Sequence, residues 1–235
     1  MGKALDKQPM GNWVPNAAFG MTDTVAFWDA NGNYTAMYCY LNEKDRAEWS
    51  SYFKNPEATV GWYLYEDANA WDYLNNKNGD EIPFGAMAAI LSNSDEATIT
   101  FSGEVRSGDV LDLNGGNNYL GNCSPVDLKI GKFRPNAAFG MTDTLTIWDK
   151  DGNIDGMFCY LNEADRAEWS SYFTNPSATV GWYLYEDANA WDYLDNRNEK
   201  DTIVAGRGFH VLSNSDEATI EIPDPVTGVY PSDAE

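Results

Sequence analysis

Apolar and polar positions alternate with a period of two over much of the chain, the signature of strands with one face toward a core. Residues 22–29 (TDTVAFWD) and 33–42 (NYTAMYCYLN) flank Asn31 and Gly32. An Asn-Gly pair supplies the positive φ angles of a tight turn, so this stretch predicts a β-hairpin. A short helix is expected next, with Asn42 as its cap, Asp45 three positions on, and Ala47, Trp49, Tyr52 and Phe53 as its apolar positions before Asn55-Pro56 stops it. Residues 58–67 (ATVGWYLYED) set Val60, Trp62 and Leu64 against Gly61, Tyr63 and Tyr65, as a half-buried strand does. Residues 67–74 (DANAWDYL) read as a turn or one helical turn, and residues 88–101 (AAILSNSDEATITF) as strand, turn and strand.

The same pattern then returns. Residues 15–74 reappear at 135–194 at a constant offset of 120, and LSNSDEATI from Leu91 recurs from Leu212 at an offset of 121. The one-residue difference falls between Asn78 and Leu91, where a surface loop absorbs it. A self-similar period this long means tandem domains. The expected fold class is mainly β: two tandem homologous β-sandwich or barrel-like domains, residues 1–120 and 121–235, each with a short helical insertion. Residues 110–133 alternate apolar positions on both sides of a Gly-rich turn and are expected to close the first sheet before opening the second. The final residues, EIPDPVTGVYPSDAE, lack a counterpart of DLNGGNNYLGN, so an incomplete sheet edge is expected on the second domain. The opening GKALDKQPMG aligns with GNCSPVDLKIG, and Met1 is read as a start cutting into a longer array.

Charge changes the picture of partners more than that of fold. With 37 Asp and Glu against 15 Lys and Arg, the formal charge is −22, which repels phosphate backbones and anionic lipid surfaces. Nucleic-acid partners and membrane insertion are therefore not expected. Acidity combined with abundant Asn, Gly, Trp and Tyr suits a secreted or cell-surface bacterial protein, with neighbouring repeats or other surface proteins as partners.

Catalytic chemistry finds little support. The single histidine, His210, has Ala89 as its counterpart, so a duplicated Ser-His-Asp or Cys-His site is excluded. No nucleotide-loop, zinc-protease or nucleophile-elbow motif is present. Cys39 and Cys159 occupy equivalent strand positions and read as small buried hydrophobes, while Cys123 lacks a counterpart and is a possible partner for Cys159. Glu43, Asp45, Glu48, Glu66, Asp67 and Asp72 recur 120 residues on, making glycoside hydrolysis a remote alternative, although helix caps and solvated faces explain such acids at less cost. No cofactor is required. Calcium is the one ion considered, because Asp149, Asp151, Asn153 and Asp155 alternate as oxygen ligands do, in a loop that also reads as a plain turn.

Aromatic residues give the sharpest binding expectation. Tyr63, Tyr65, Trp71 and Tyr73 fall in one short span beside acids and amides, and recur as Tyr183, Tyr185, Trp191 and Tyr193. Flat rings stack on the apolar faces of sugars, and neighbouring acids and amides take the hydroxyl hydrogen bonds. The competing explanation is that such rings anchor an aromatic-rich core. The expected function is thus a non-catalytic tandem repeat acting in adhesion or structural assembly, with a pair of carbohydrate-binding modules binding glycans as the alternative.

Overall fold

Alternating segments become antiparallel strands. The computed structural model describes residues 7–29, 33–83, 88–101, 108–122, 124–149 and 151–233, and within them the chain forms two compact units, one of residues up to 101 and one of residues from 108 on. The first carries β1 (Lys7–Pro9), β2 (Trp13–Pro15), β3 (Thr24–Trp28), β4 (Tyr34–Leu41), α1 (Glu43–Trp49), β5 (Gly61–Leu64), α2 (Tyr65–Asn69), β6 (Glu81–Pro83), β7 (Ala88–Leu91) and β8 (Ile99–Phe101). The second carries β9 (Asp109–Asp112), β10 (Gly116–Gly121), β11 (Leu128–Lys129), β12 (Arg134–Pro135), β13 (Thr144–Trp148), β14 (Ile154–Leu161), α3 (Glu163–Trp169), β15 (Gly181–Leu184), α4 (Tyr185–Asn189), β16 (Thr202–Ile203), β17 (Gly208–Ser213) and β18 (Thr219–Ile222).

Each unit is mainly β. In the first, a sheet ordered β5-β4-β3-β7 accompanies the pairs β2-β8 and β1-β6; in the second, β10-β17-β13-β14-β15 accompanies β12-β18-β9 and β11-β16. The sheets are open and sandwich-like, and the barrel alternative is corrected on that ground. Closure fails on one side because the chain turns from β5 and β15 directly into α2 and α4. The β3-β4 and β13-β14 pairings share a register, including a bulge after Phe27 and after Ile147. Asn31 and Gly32 lie outside the described residues, as does Cys123.

The segment expected to close the first sheet pairs elsewhere. β10 runs antiparallel to β17 from Gly116↔Ser213 to Gly121↔Gly208, and β9 pairs with β18. Leu111, Leu113 and Leu120 are buried there in one cluster with Phe209, Val211, Ile220 and Ile222. Burying that apolar face fixes residues 109–121 onto the second unit, whose edges at β17 and β18 are covered. In the first unit the equivalent edges stay uncovered: among the described residues, β7 pairs only with β3 and β8 only with β2.

A second layer explains why β4 and β5 are buried on both faces. Tyr38 and Trp62 pack with Met10, Trp13, Phe19, Val25 and Phe27, while Cys39, Leu41 and Tyr63 pack with Phe53, Ala58, Ala68 and Tyr73 beneath the helical insertion. The insertion is held by Asn42, whose Oδ1 accepts from the Asp45 amide at 2.7 Å and whose Nδ2 donates to the Phe19 carbonyl at 3.1 Å. One side chain thus caps α1 and ties it to the β2-β3 connection. Helix α1 ends in a 3-10 turn, Ser50–Tyr52.

Candidate functional site

Two successive departures from ordinary backbone geometry bring the aromatic rings into position. After α2 the chain places Trp71 (φ 59°) and Tyr73 (φ 49°) in the left-handed region, and Trp191 (φ 61°) and Tyr193 (φ 48°) repeat the arrangement. L-residues avoid this region, so the surrounding bonds must hold them there. The Trp71 amide donates to the Ala68 carbonyl at 2.9 Å and the Asp72 amide to the Asp67 carbonyl at 2.9 Å. Across the loop, the Lys54 amide donates to the Trp71 carbonyl at 2.9 Å, and Asn55 Nδ2 donates to the Tyr73 carbonyl at 3.1 Å. The Asp67 carboxylate accepts from the Leu74 amide at 2.9 Å.

This alternation sends neighbouring rings to opposite fates. Tyr73 is buried, with its centroid 4.2 Å from Phe53 and 5.1 Å from Tyr63. Trp71 remains 40% exposed and meets Trp49, Tyr52 and Phe53 at centroid distances of 6.0, 6.5 and 6.0 Å. Tyr52 is 70% exposed, and the Lys54–Asp72 pair, 3.3 Å apart, stands on the adjoining loop. The result is a patch in which exposed Tyr52 and Trp71 meet half-buried Trp49, braced from below by Phe53. In the second unit Trp169, Tyr172, Trp191 and Phe173 reproduce it, with ring distances within 0.1 Å of the first, and Thr174 Oγ1 donates to Asp192 in place of the Lys54 ion pair.

Four of the eight rings singled out in the sequence are therefore core residues. Tyr63, Tyr73, Tyr183 and Tyr193 are each buried to 1% exposure, because the helical insertion covers the face of β5 and β15 on which a half-buried strand was expected. Burial pushes the Tyr73 and Tyr193 hydroxyls up from the ordinary phenol value. Trp71 and Trp191 sit in the patch. Tyr65 and Tyr185 are exposed at the start of α2 and α4, but among the described residues no ring contact joins them to it. Sequence reading missed Tyr52 and Tyr172. Their signal was available, since each closes the 3-10 turn that ends α1 or α3, where a side chain leaves the core-facing stripe.

The remaining candidates separate. Asp149 accepts from the Asp151 and Asn153 amides at 2.8 Å and from Asn153 Nδ2, closing the β13-β14 turn around one carboxylate. Asp155 has passed onto β14, where it pairs with Arg207 at 3.3 Å. His210 lies on β17 between the rings of Tyr119 and Trp148, its Nε2 2.9 Å from Asn117 Oδ1, and burial lowers its pKa. Two of the recurring acids bind backbone: Asp45 accepts from the Met21 amide, as Asp165 does from Met141, and Asp67 accepts from the Leu74 amide, while Glu43 and Asp72 face Arg46 and Lys54. Asp23, buried, accepts from the amides of Gly20 and Asn93. Among the described residues, no cluster of three or more His, Cys, Asp or Glu is arranged to hold a metal ion, and no helix is long and apolar enough to cross a membrane. Compared with known proteins, the chain matches no family model, no curated protein and no solved structure.

Proposed function

We propose that this chain is a pair of homologous, non-catalytic β domains that acts by contact in adhesion at a cell surface or outside the cell, with carbohydrate as the ligand class. One observation carries the reading: the loop after α2 holds Trp71 in left-handed backbone with its ring exposed against Tyr52, and the loop after α4 does the same for Trp191 and Tyr172. Backbone strain maintained twice around an exposed indole is a feature that function explains better than stability does. Trp and Tyr supply large, rigid contact area with a polar rim, and the planar indole fits the apolar face of a pyranose. Among the recurring acids, Asp45 and Asp67 are engaged with backbone amides in positions that shape loops, which supports a non-catalytic reading.

Two equal patches raise avidity on a repeating glycan surface, by about 100-fold or more when both engage together. Titration of intrinsic tryptophan fluorescence with a glycan panel is expected to show a response that Trp71→Ala combined with Trp191→Ala removes, while each single variant retains binding to soluble sugar and loses the avidity gain. Unchanged binding by the folded double variant, or silence across the panel, would sink the proposal.

A further inference from the structure

The two units differ in one large respect. In the second, residues 109–121 lie along β17 and β18; in the first, the equivalent edges of β7 and β8 carry no strand among the described residues. At the offset of 121 found in the sequence, Ile90 corresponds to Val211, Leu91 to Leu212, Ala97 to Ala218 and Ile99 to Ile220. Val211 is fully buried where Ile90 is 50% exposed, Leu212 is 38% exposed where Leu91 is 65%, and Ile220 is fully buried where Ile99 is half-buried. An apolar strand with one open edge is a template for strand addition.

We infer that the β7 and β8 edges of the first unit are an acceptor site for a strand–turn–strand segment of another polypeptide chain, of the same chemistry as residues 109–121. The second unit shows how such a segment is recognised. β10 pairs with β17 over six residues, and β9 with β18 over four. The turn between them is anchored by the Gly115 amide, which donates to Asp216, and by the Leu113 amide, which donates to the Ala218 carbonyl at 2.9 Å. Asn118, fully buried, turns its Nδ2 to the carbonyls of Asn114, Gly116 and Val211. The first unit keeps the receiving groups. Asp95 stands where Asp216 does, Ala97 offers the carbonyl equivalent to that of Ala218, and the apolar Ile90 and Ile99 replace Val211 and Ile220. Two changes enlarge the room beside the edge: Ala88 replaces Phe209 and Ala89 replaces His210. The fitting occupant therefore has Leu or Val at the positions of Leu111, Leu113 and Leu120, a Gly-Gly turn, and an Asn at the position of Asn118. A second copy of this chain is not the natural donor, because its own 109–121 segment is already committed to its second unit.

The test adds a synthetic peptide of residues 109–121, DVLDLNGGNNYLG, to the full chain and follows amide hydrogen exchange residue by residue. Protection of the β7 and β8 amides by about tenfold or more is expected, with a peptide carrying Lys at the three Leu positions giving none. Ile90→Lys, at a half-exposed position and checked for an unchanged denaturation midpoint, is expected to weaken peptide binding by about tenfold or more. The Trp71→Ala, Trp191→Ala double variant is expected to bind it normally, which separates this site from the glycan patch. No protection at saturating peptide would overturn the inference. So would self-association that protects the same amides without peptide, since the occupant would then be a second copy.

Discussion

At the residue scale, the clearest lesson is how far burial reshapes side chains of ordinary type. Cys39 and Cys159 sit on the helix-covered face of β4 and β14, and burial, with Asp23 and Glu66 beside the first and Asp143 beside the second, pushes each thiol up from 9.0 to about 12. The thiolate is the nucleophile, so both cysteines are expected to resist alkylation in the native protein at pH 8 and to react within minutes once unfolded. Mass mapping of labelled peptides checks this, and native labelling of Cys39 at the denatured rate contradicts it. The same shift has a definite sign for stability. A group that holds its proton more tightly when folded contributes stability that is present in full below the unfolded value and lost as pH rises toward the folded one. The contribution of these thiols therefore fades between about pH 9 and 12, and replacing both with Ala is expected to flatten the pH dependence of the denaturation midpoint in that window. The expectation of small buried hydrophobes was readable from the strand pattern alone, because Cys39 and Leu41 share a face by period two. The opposite fates of Trp71 and Tyr73 were not. Residues two apart share a face only in extended chain, and nothing in the letters DANAWDYL announces two left-handed residues.

At the scale of elements, local chemistry explains most of what was legible. Asn42 and Asp45 predicted the start of α1, and the cap bond is present. The predicted helix through Phe53 is instead seven residues of α-helix and a 3-10 turn, because Ser50 and Ser51 favour local bonding over helix extension. Gly61 shows a constraint that period-two reading hides. It has φ +148°, and a Cβ there would lie 2.4 Å from Asn76 Nδ2 and 2.6 Å from Asn78 Oδ1. That close approach lets Asn78 Oδ1 accept from the Trp62 amide at 2.9 Å and fastens β5 to the following loop. Gly181 repeats it with Asn196 and Asn198, and the Trp182 amide donates to Asn198 Oδ1 at 2.9 Å. Gly61→Ala is accordingly expected to destabilise the first unit by about 2–4 kcal/mol, combining backbone strain with displacement of the asparagines. Chemical denaturation checks the value, and a loss below half a kcal/mol would show that the loop yields freely.

At the scale of the whole molecule, the duplication was visible on the page while the ownership of residues 109–121 was not. Alternating Leu111, Leu113 and Leu120 identify strands, yet periodicity records only that a face is apolar and is silent on which sheet receives it. Both units offer an apolar edge flanking the shared LSNSDEATI. What decides is the set of interactions that exist only after folding: the Asn118 bonds to the turn and to Val211, and the burial of three leucines among Phe209, Val211 and Ile220. Two units that share long stretches of sequence are thereby left with unequal protection, which gives a prediction that needs no ligand. Opening an edge strand exposes few new apolar contacts, whereas opening β17 uncovers core on one side and breaks a ladder on the other. Amides of β7 and β8 are therefore expected to exchange at least about tenfold faster than those of β17 and β18 in the free protein, although LSNSDEATI is common to both. β3 and β13, each central in its sheet, serve as the internal reference and are expected to differ less. Equal protection at β7 and β17 would mean that sequence, and not the neighbouring strand, sets local stability here, and the argument from unequal edges would fail with it.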